Sequence, residues 1–290
     1  MTLESTSSPT YDTATRAGSA DLPVRVEGLR KTFYDEGRGE VHAVGGIDFH
    51  CNRGEIFGLL GANGAGKTTT LRMLSTILEP SEGDVWVEGN SVREAPEAVR
   101  RSLGFFSAST ALYPRLTARE TLEFFAGINR YPADRVKQRV GELIERFGIT
   151  AFQDARVDKL SSGMKQKVSI ARTLAHDPPI LIFDEPTVGL DVLNALALVD
   201  NIRELRDEGK TLLFSTHIMS EAEKLCDRIA IIHGGKILTT GTLDELRQET
   251  GEHYLEEIFV HYVKDAEAAT RELLEEREQR ELEQFAGDGK

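Results

Sequence analysis

Gly61-Ala62-Asn63-Gly64-Ala65-Gly66-Lys67-Thr68, entered from the apolar run Glu55–Leu60, is the stretch on which the fold turns. It fits G-x-x-x-x-G-K-[ST] at every fixed position. Glycines let a backbone approach a polyphosphate closely and adopt positive φ. The amides then point inward, and the helix expected from about Lys67, through Thr68 and Thr69, offers its positive N-terminal end to the phosphates. Lys67 is placed for the β- and γ-phosphates of a nucleotide, and the Thr68 hydroxyl for Mg2+. An apolar strand before the turn and a helix after it are the context such a cradle needs. Alone, the motif predicts a nucleotide binder of the kind that kinases, GTPases and motor ATPases share.

Working outward, Ile180-Leu181-Ile182-Phe183-Asp184-Glu185 is an apolar strand that ends in two acids. It lacks polar alternation, as expected for a sheet covered on both faces. Asp184 is placed to hold the Mg2+ shell. Glu185 can face the γ-phosphate and polarise an attacking water, because a metal-engaged carboxylate is a poor base. Thr211–Ser215 and Ile229–His233 read as further strands. Strands alternating with helices imply an α/β protein with a mostly parallel, doubly wound core sheet. Upstream, Val24–Val26 reads as a short strand and Val41–Phe49 as a second alternating run, an N-terminal β region. The span 91–166 reads as a helical insert. Thr117-Ala118-Arg119-Glu120 has the capping-box form, and Pro132 introduces a helix over about 133–147.

The chain has 290 residues and a net charge of −13, from 35 Lys and Arg against 48 Asp and Glu. That balance argues against a general nucleic-acid binder, which needs a basic surface. No apolar run approaches the roughly 18 residues that a membrane span needs. Two cysteines, Cys51 and Cys226, make no disulfide framework, so a reducing, cytoplasmic setting is expected. Residues 1–20 hold nine Ser or Thr and neither an apolar core nor a basic leader, so residues 1–23 are expected to be a disordered tail and not a signal peptide. The ordered domain is expected over 24–264. Residues 265–290 carry nine acids and four bases, with a weak apolar stripe of Leu273, Leu274, Leu282 and Phe285, and read as an acidic helical or disordered tail. The remaining histidines show no metal-ligand spacing.

Between the two phosphate-site motifs lies Leu160-Ser161-Ser162-Gly163-Met164-Lys165-Gln166. Here the chain resembles the ATP-binding subunit of an ABC transporter, whose signature is L-S-G-G-Q. Gly163 precedes Asp184 by 184 − 163 = 21 residues, the spacing that family uses. Asp191 matches the family's D-loop, and His217, 217 − 184 = 33 residues after Asp184, its switch histidine. Phe33 matches the aromatic that stacks on adenine, with Tyr34 as the alternative. The resemblance covers about residues 24–245. There are departures: Ser162 replaces a Gly, Met164 replaces the Gln, and Ala108 stands where a loop Gln normally touches Mg2+. Ser107, Ser109, Thr110 or a water could substitute there. The stretch Gly104–Glu120 and the signature look most like the subgroup that serves ABC-2-type exporters, to which sodium-extruding ATPase subunits belong.

The resemblance implies an ATP- and Mg2+-dependent hydrolase that works as a head-to-tail dimer. Ser161, Ser162, Gly163 and Met164 would then bind the partner's γ-phosphate in trans. Catalysis would rest on Glu185, His217 and Lys67. The cradle Gly61–Thr69 with Phe33 would bind ATP, and Thr68 and Asp184 the metal. It further implies a separate transmembrane permease, with this subunit peripheral at the cytoplasmic face of the membrane. Arg100, Arg101 and Arg115 lie where the family docks that permease. The cargo could be sodium, a drug or a lipid, and the dimer homomeric or heteromeric. A soluble assembly ATPase is the alternative from another class. A small-molecule kinase explains neither the signature nor His217.

Overall fold

Leu103–Ser107 lies inside the span read as a helical insert, yet it is a strand of the core sheet. The computed structural model describes residues 22–37, 39–107 and 110–287, with the backbone alone over 273–287. Residues 1–21 of the tail expected over 1–23, Ala108, Ser109 and the stripe Leu273–Phe285 fall outside the residues or side chains described.

In chain order, β1 (Val24–Asp35), β2 (Gly39–Cys51), β3 (Ile56–Leu60), α1 (Lys67–Leu74), β4 (Glu82–Val87) and β5 (Asn90–Ser91) open the fold. Next come α2 (Pro96–Ser102), β6 (Leu103–Ser107), α3 (Ala118–Ile128), α4 (Val136–Arg146) and α5 (Ser162–Thr173). Then follow β7 (Ile180–Asp184), α6 (Val192–Asp207), β8 (Thr211–Thr216), α7 (Met219–Leu225), β9 (Arg228–His233), β10 (Lys236–Gly241), α8 (Leu243–Thr250) and α9 (Leu255–Gly287). An antiparallel sheet has the order β2-β1-β4-β5, and the core sheet the order β10-β9-β3-β8-β7-β6. In the core sheet β9, β3, β8, β7 and β6 are parallel, and β10 runs antiparallel to β9.

β7 shows why its sequence has no polar alternation. Leu181 and Phe183 join one buried cluster with Phe106, Leu212 and Phe214. Ile180 and Ile182 join another, with Phe57, Leu59 and Leu213. Successive side chains point to opposite faces, and both faces are covered, so every position must be apolar. β1 extends to Asp35, well past the expected Val26, because register shifts let a polar continuation stay paired with β2. β6 escapes sequence reading because five residues of Leu-Gly-Phe-Phe-Ser are too few to show a period. Its pairing with β7, Leu103 to Ile180 through Ser107 to Asp184, is non-local. The capping box forms as expected: Thr117 Oγ1 accepts from Glu120 N, and Glu120 accepts from Thr117 N at 2.8 Å.

α9 begins within the expected domain and runs on without a break through residue 265. Its first turns bury Leu255 and Ile258 against β9 and α8. Among the described residues, no helix is long and apolar enough to cross a membrane.

The parallel strands bring their carboxyl ends to one edge, where α/β sheets bind ligands. The register aligns Leu60 with Thr216, Asp184 with Ser215, and Ser107 with Asp184. Four separate stretches of sequence therefore converge beside Gly61.

Candidate nucleotide site

Gly61–Gly66 forms the turn between β3 and α1. Gly64 and Gly66 hold φ of 81° and 109°, the left-handed region that favours glycine. At Gly66 an added Cβ would lie 2.7 Å from the Ala43 carbonyl oxygen, so this position tolerates no side chain. The cradle is braced from outside by the turn after β9, where Gly235 N donates to Ala65 O at 3.0 Å. Ala62, Asn63 and Gly64 lie at the surface side of the turn, and Ala65 and Gly66 are buried.

Lys67 is the first residue of α1 and 4% exposed. Its ammonium donates to Gly61 O at 2.8 Å and Ala62 O at 3.1 Å, and pairs with Glu185 Oε1 at 3.1 Å. His217 Nδ1 lies 3.3 Å from the same Glu185 oxygen. Burial raises the Glu185 carboxyl, but the Lys67 hydrogen bond and charge, helped by His217, outweigh it and hold the group below the ordinary carboxylate range. Glu185 itself adopts φ of 48°, uncommon for a residue with a side chain. Its amide points at Ser215, 3.2 Å from both the carbonyl oxygen and Oγ.

Thr68 Oγ1 donates to Asp184 Oδ1 at 3.1 Å, and Ser215 Oγ donates to the same oxygen at 2.8 Å. Ser107 Oγ approaches Asp184 Oδ2 at 3.5 Å. A buried carboxylate beside a hydroxyl is a hard-oxygen donor set. It suits Mg2+, which takes few protein ligands and fills its remaining positions with phosphate oxygens and water. Thr68 and Asp184 thus fit the ion.

Part of this neighbourhood is invisible in sequence. Ser215 bonds both Asp184 and the Glu185 backbone, yet it stands 31 residues downstream of Asp184, two residues before His217, and nothing in that stretch marks Asp184 as its partner. Of the residues weighed for the missing loop Gln, Ser107 is the one beside Asp184 among those described. Thr110 lines a neighbouring groove with Leu112, Gln166 and Val188. Phe33 is 41% exposed in β1, with the Lys31 ammonium 5.3 Å from its ring centroid. It pairs with Val41, two residues from the Ala43 carbonyl that crowds Gly66. Tyr34 is 80% exposed.

The family model described as ABC transporter matches residues 44–188. The chain is 42% identical over 224 residues to "ABC transporter ATP-binding protein NatA" of Bacillus subtilis, covering 76% of this chain and 90% of that protein. The chain belongs to the ABC transporter ATP-binding family. It is also 38% identical over 232 residues to "Daunorubicin resistance ATP-binding protein DrrA3" of Streptomyces coeruleorubidus, covering 80% of this chain and 72% of that one. A dimeric ATP-binding cassette, MJ0796, in a post-hydrolysis state bound to ADP and Pi, superposes with a TM-score of 0.68 at 26% identity. The match covers 76% of this chain and 98% of that one.

The segment that resembles the family signature opens α5. Ser161 is the N-cap, its Oγ accepting from Met164 N at 3.3 Å. Ser161 and Ser162 are exposed and Gly163 is half-buried. The Met164 side chain packs against the core, so that side chain is not presented outward with the others. The hydrogen bonding of Ser161 stays within its own helix start and does not reach Lys67 or Thr68. Asp191 caps α6, accepting from Asn194 N at 3.0 Å. That backbone bond, with the Asn194 side chain, lowers its carboxyl. The structure therefore joins Lys67, Thr68, Asp184, Glu185 and His217 at one place and sets Ser161–Gly163 and Asp191 on helix starts outside it.

Proposed function

We propose that the chain hydrolyses ATP as the energy-supplying subunit of a membrane exporter whose permease is a separate polypeptide. The observation that carries this reading is the meeting of Lys67, Thr68, Asp184, Glu185 and His217 at the carboxyl edge of the core sheet. ATP phosphates would occupy the amide-lined turn Gly61–Thr69. Phe33 is the aromatic assigned to the adenine. Lys67 would exchange its Glu185 partner for the β- and γ-phosphates, a trade of one anion for another at a buried ammonium. Glu185, released from that pair, orients the attacking water and accepts its proton. His217 stands at the same carboxylate and holds its position. Thr68 and Asp184 would hold Mg2+, which neutralises phosphate charge when bound.

Ser161, Ser162 and Gly163 support the dimer reading. They form a helix start open to solvent at its serines, which favours an anion, and they do not serve their own chain's cradle. A second ATPase subunit placed head to tail would bring them to its γ-phosphate, with Ser161 and the Gly163 amide contributing, the Met164 side chain turned to the core, and Asp191 beside them. Such closure is driven by the difference in ATP affinity between open and closed pairs. The permease, of ABC-2 type by the resemblance and by the resistance function in the DrrA3 name, would hold the subunit at the cytoplasmic face and define the cargo, whether sodium, drug or lipid.

Affinity purification of the chain from its native membranes, with mass spectrometry of what accompanies it, tests this directly. A stoichiometric polytopic protein is expected. A soluble partner alone, with no membrane association, would replace the exporter with an assembly ATPase. Loss of ATP binding in Lys67→Ala is the companion result, and unchanged affinity there would remove the cradle assignment.

A further inference from the structure

Gln166 lies in the second turn of α5, beyond the signature residues, and its Nε2 donates to Pro186 O at 2.5 Å. Pro186 directly follows Glu185. The bond crosses from the signature helix to the loop that carries the water-orienting carboxylate of the same chain. That loop is under backbone constraint: Glu185 sits at φ of 48°, and its amide is held by Ser215. Proline has no N–H, so Pro186 can be tethered only through its carbonyl, and Gln166 supplies that tether. Ser215 therefore grips one side of the strained residue, and Gln166 the other.

We propose that Gln166 is a positioning residue that couples the two ATP sites of the dimer. This rests on the proposed function, in which Ser161–Gly163 of one chain serve the partner's ATP while Glu185 serves its own. Under that arrangement a single rigid helix carries the partner's phosphate ligands at its start and, one turn later, the tether to its own Glu185 loop. Engagement of the partner's γ-phosphate shifts α5 and, through Gln166, moves Pro186 and the Glu185 backbone. Each site then reads the occupancy of the other without a contact between the two nucleotides. Two features favour this path. The Gln166 bond is a direct side-chain link from α5 to the 184–188 loop, whereas Val188 N closes only a local turn onto Glu185 O. Gln166 also lies on the wall between two grooves, one lined by Val188 and Gly189, the other by Leu190 and Asn194, so its bond to Pro186 sits where the two grooves meet.

The test is steady-state ATP hydrolysis against ATP concentration for the wild-type chain, Gln166→Met (similar length, no donor) and Gln166→Lys (donor restored), with ATP binding measured separately without Mg2+. For two coupled sites the wild-type Hill coefficient is expected to approach about 2. Gln166→Met is expected to fall to about 1 while its ATP affinity stays within about twofold of wild type, and Gln166→Lys is expected to recover sigmoidal behaviour. A merely structural role would move affinity and leave the Hill coefficient unchanged. A sigmoidal wild type with an equally sigmoidal Gln166→Met overturns the coupling alone. A wild type that stays monomeric and hyperbolic at saturating ATP overturns the dimer reading, and the coupling with it.

Discussion

Lys67 Nζ and Glu185 Oε1 form an ion pair at 3.1 Å, and His217 Nδ1 approaches the same oxygen at 3.3 Å. One carboxylate oxygen thus links the start of α1, the end of β7 and the residue after β8. One residue away on each side, Thr68 hydrogen-bonds Asp184, the pair proposed to hold Mg2+. Under the proposed function, phosphate would compete with Glu185 for Lys67, so nucleotide binding and release of that carboxylate would be a single exchange.

Glu185→Gln should retain ATP and dimerise, and lose turnover by about 10²- to 10⁴-fold, the range that a positioned base contributes. Phosphate release checks it, and near-normal release would remove Glu185 from the role. The lowered carboxyl also has a pH consequence. A depressed folded value contributes stability above the ordinary carboxylate range, lost as pH falls through the folded value. With its Lys67 pair intact, Glu185 is therefore ionised throughout the neutral range.

Gly66→Ala should abolish nucleotide binding. The added Cβ would meet the Ala43 carbonyl at 2.7 Å in a backbone at φ of 109°. Left-handed strain of this kind costs about 1–3 kcal/mol before the clash is counted. Thermal unfolding and ATP titration read the two effects. A Gly66→Ala variant that binds ATP normally would show that the loop relaxes.

Ser161 separates capping from phosphate binding. Ser161→Ala loses the cap on α5, at about 1 kcal/mol. Ser161→Asp keeps a good cap but places a carboxylate at the partner's γ-phosphate. It should match the wild type in melting temperature and fail to form the ATP-dependent dimer by size-exclusion chromatography. Normal dimerisation of the Asp variant would place the signature elsewhere.

His176 gives a pH signature of the same sign at a different site and in a higher window. Burial pushes its imidazole from 6.5 down to about 4, and the Leu103 backbone and Asp177 oppose that only in part. The unfolded chain takes up a proton near pH 6.5 that the folded chain refuses until about pH 4. Stability is therefore lost as pH falls across that window. The gap converts to about 3 kcal/mol. Denaturant unfolding between pH 7 and 4 should be flatter in His176→Gln, and an unchanged slope would assign the acid sensitivity to other groups.

The cradle, the acid pair and the capping box were legible because each is contiguous. A turn that needs amides at successive positions writes itself as G-x-x-x-x-G-K-[ST], and a helix start writes itself within four residues. Thr117-Ala118-Arg119-Glu120 closes as read. β6 was not legible, since a five-residue apolar strand becomes one only by pairing with β7. Ser215 and Gln166 were passed over for a similar reason. Each acts across 20 residues or more of chain, on Asp184 and Pro186, and nothing local marks the partner.

What the sequence by itself determined is what short-range backbone geometry can encode: a glycine turn between strand and helix, a hydroxyl at that helix start, an acid pair at a strand end, and a serine-capped helix start. The tertiary structure alone decided which of these meet. Parallel register sets Leu60, Ser107, Asp184 and Thr216 along one edge, because strands pair through backbone groups that carry no record of distant sequence. The same packing leaves Ser161 bonded, among the described residues, only to its own helix start, because α5 is held by its buried face against the core, and burial, unlike a motif, is a property of the whole chain.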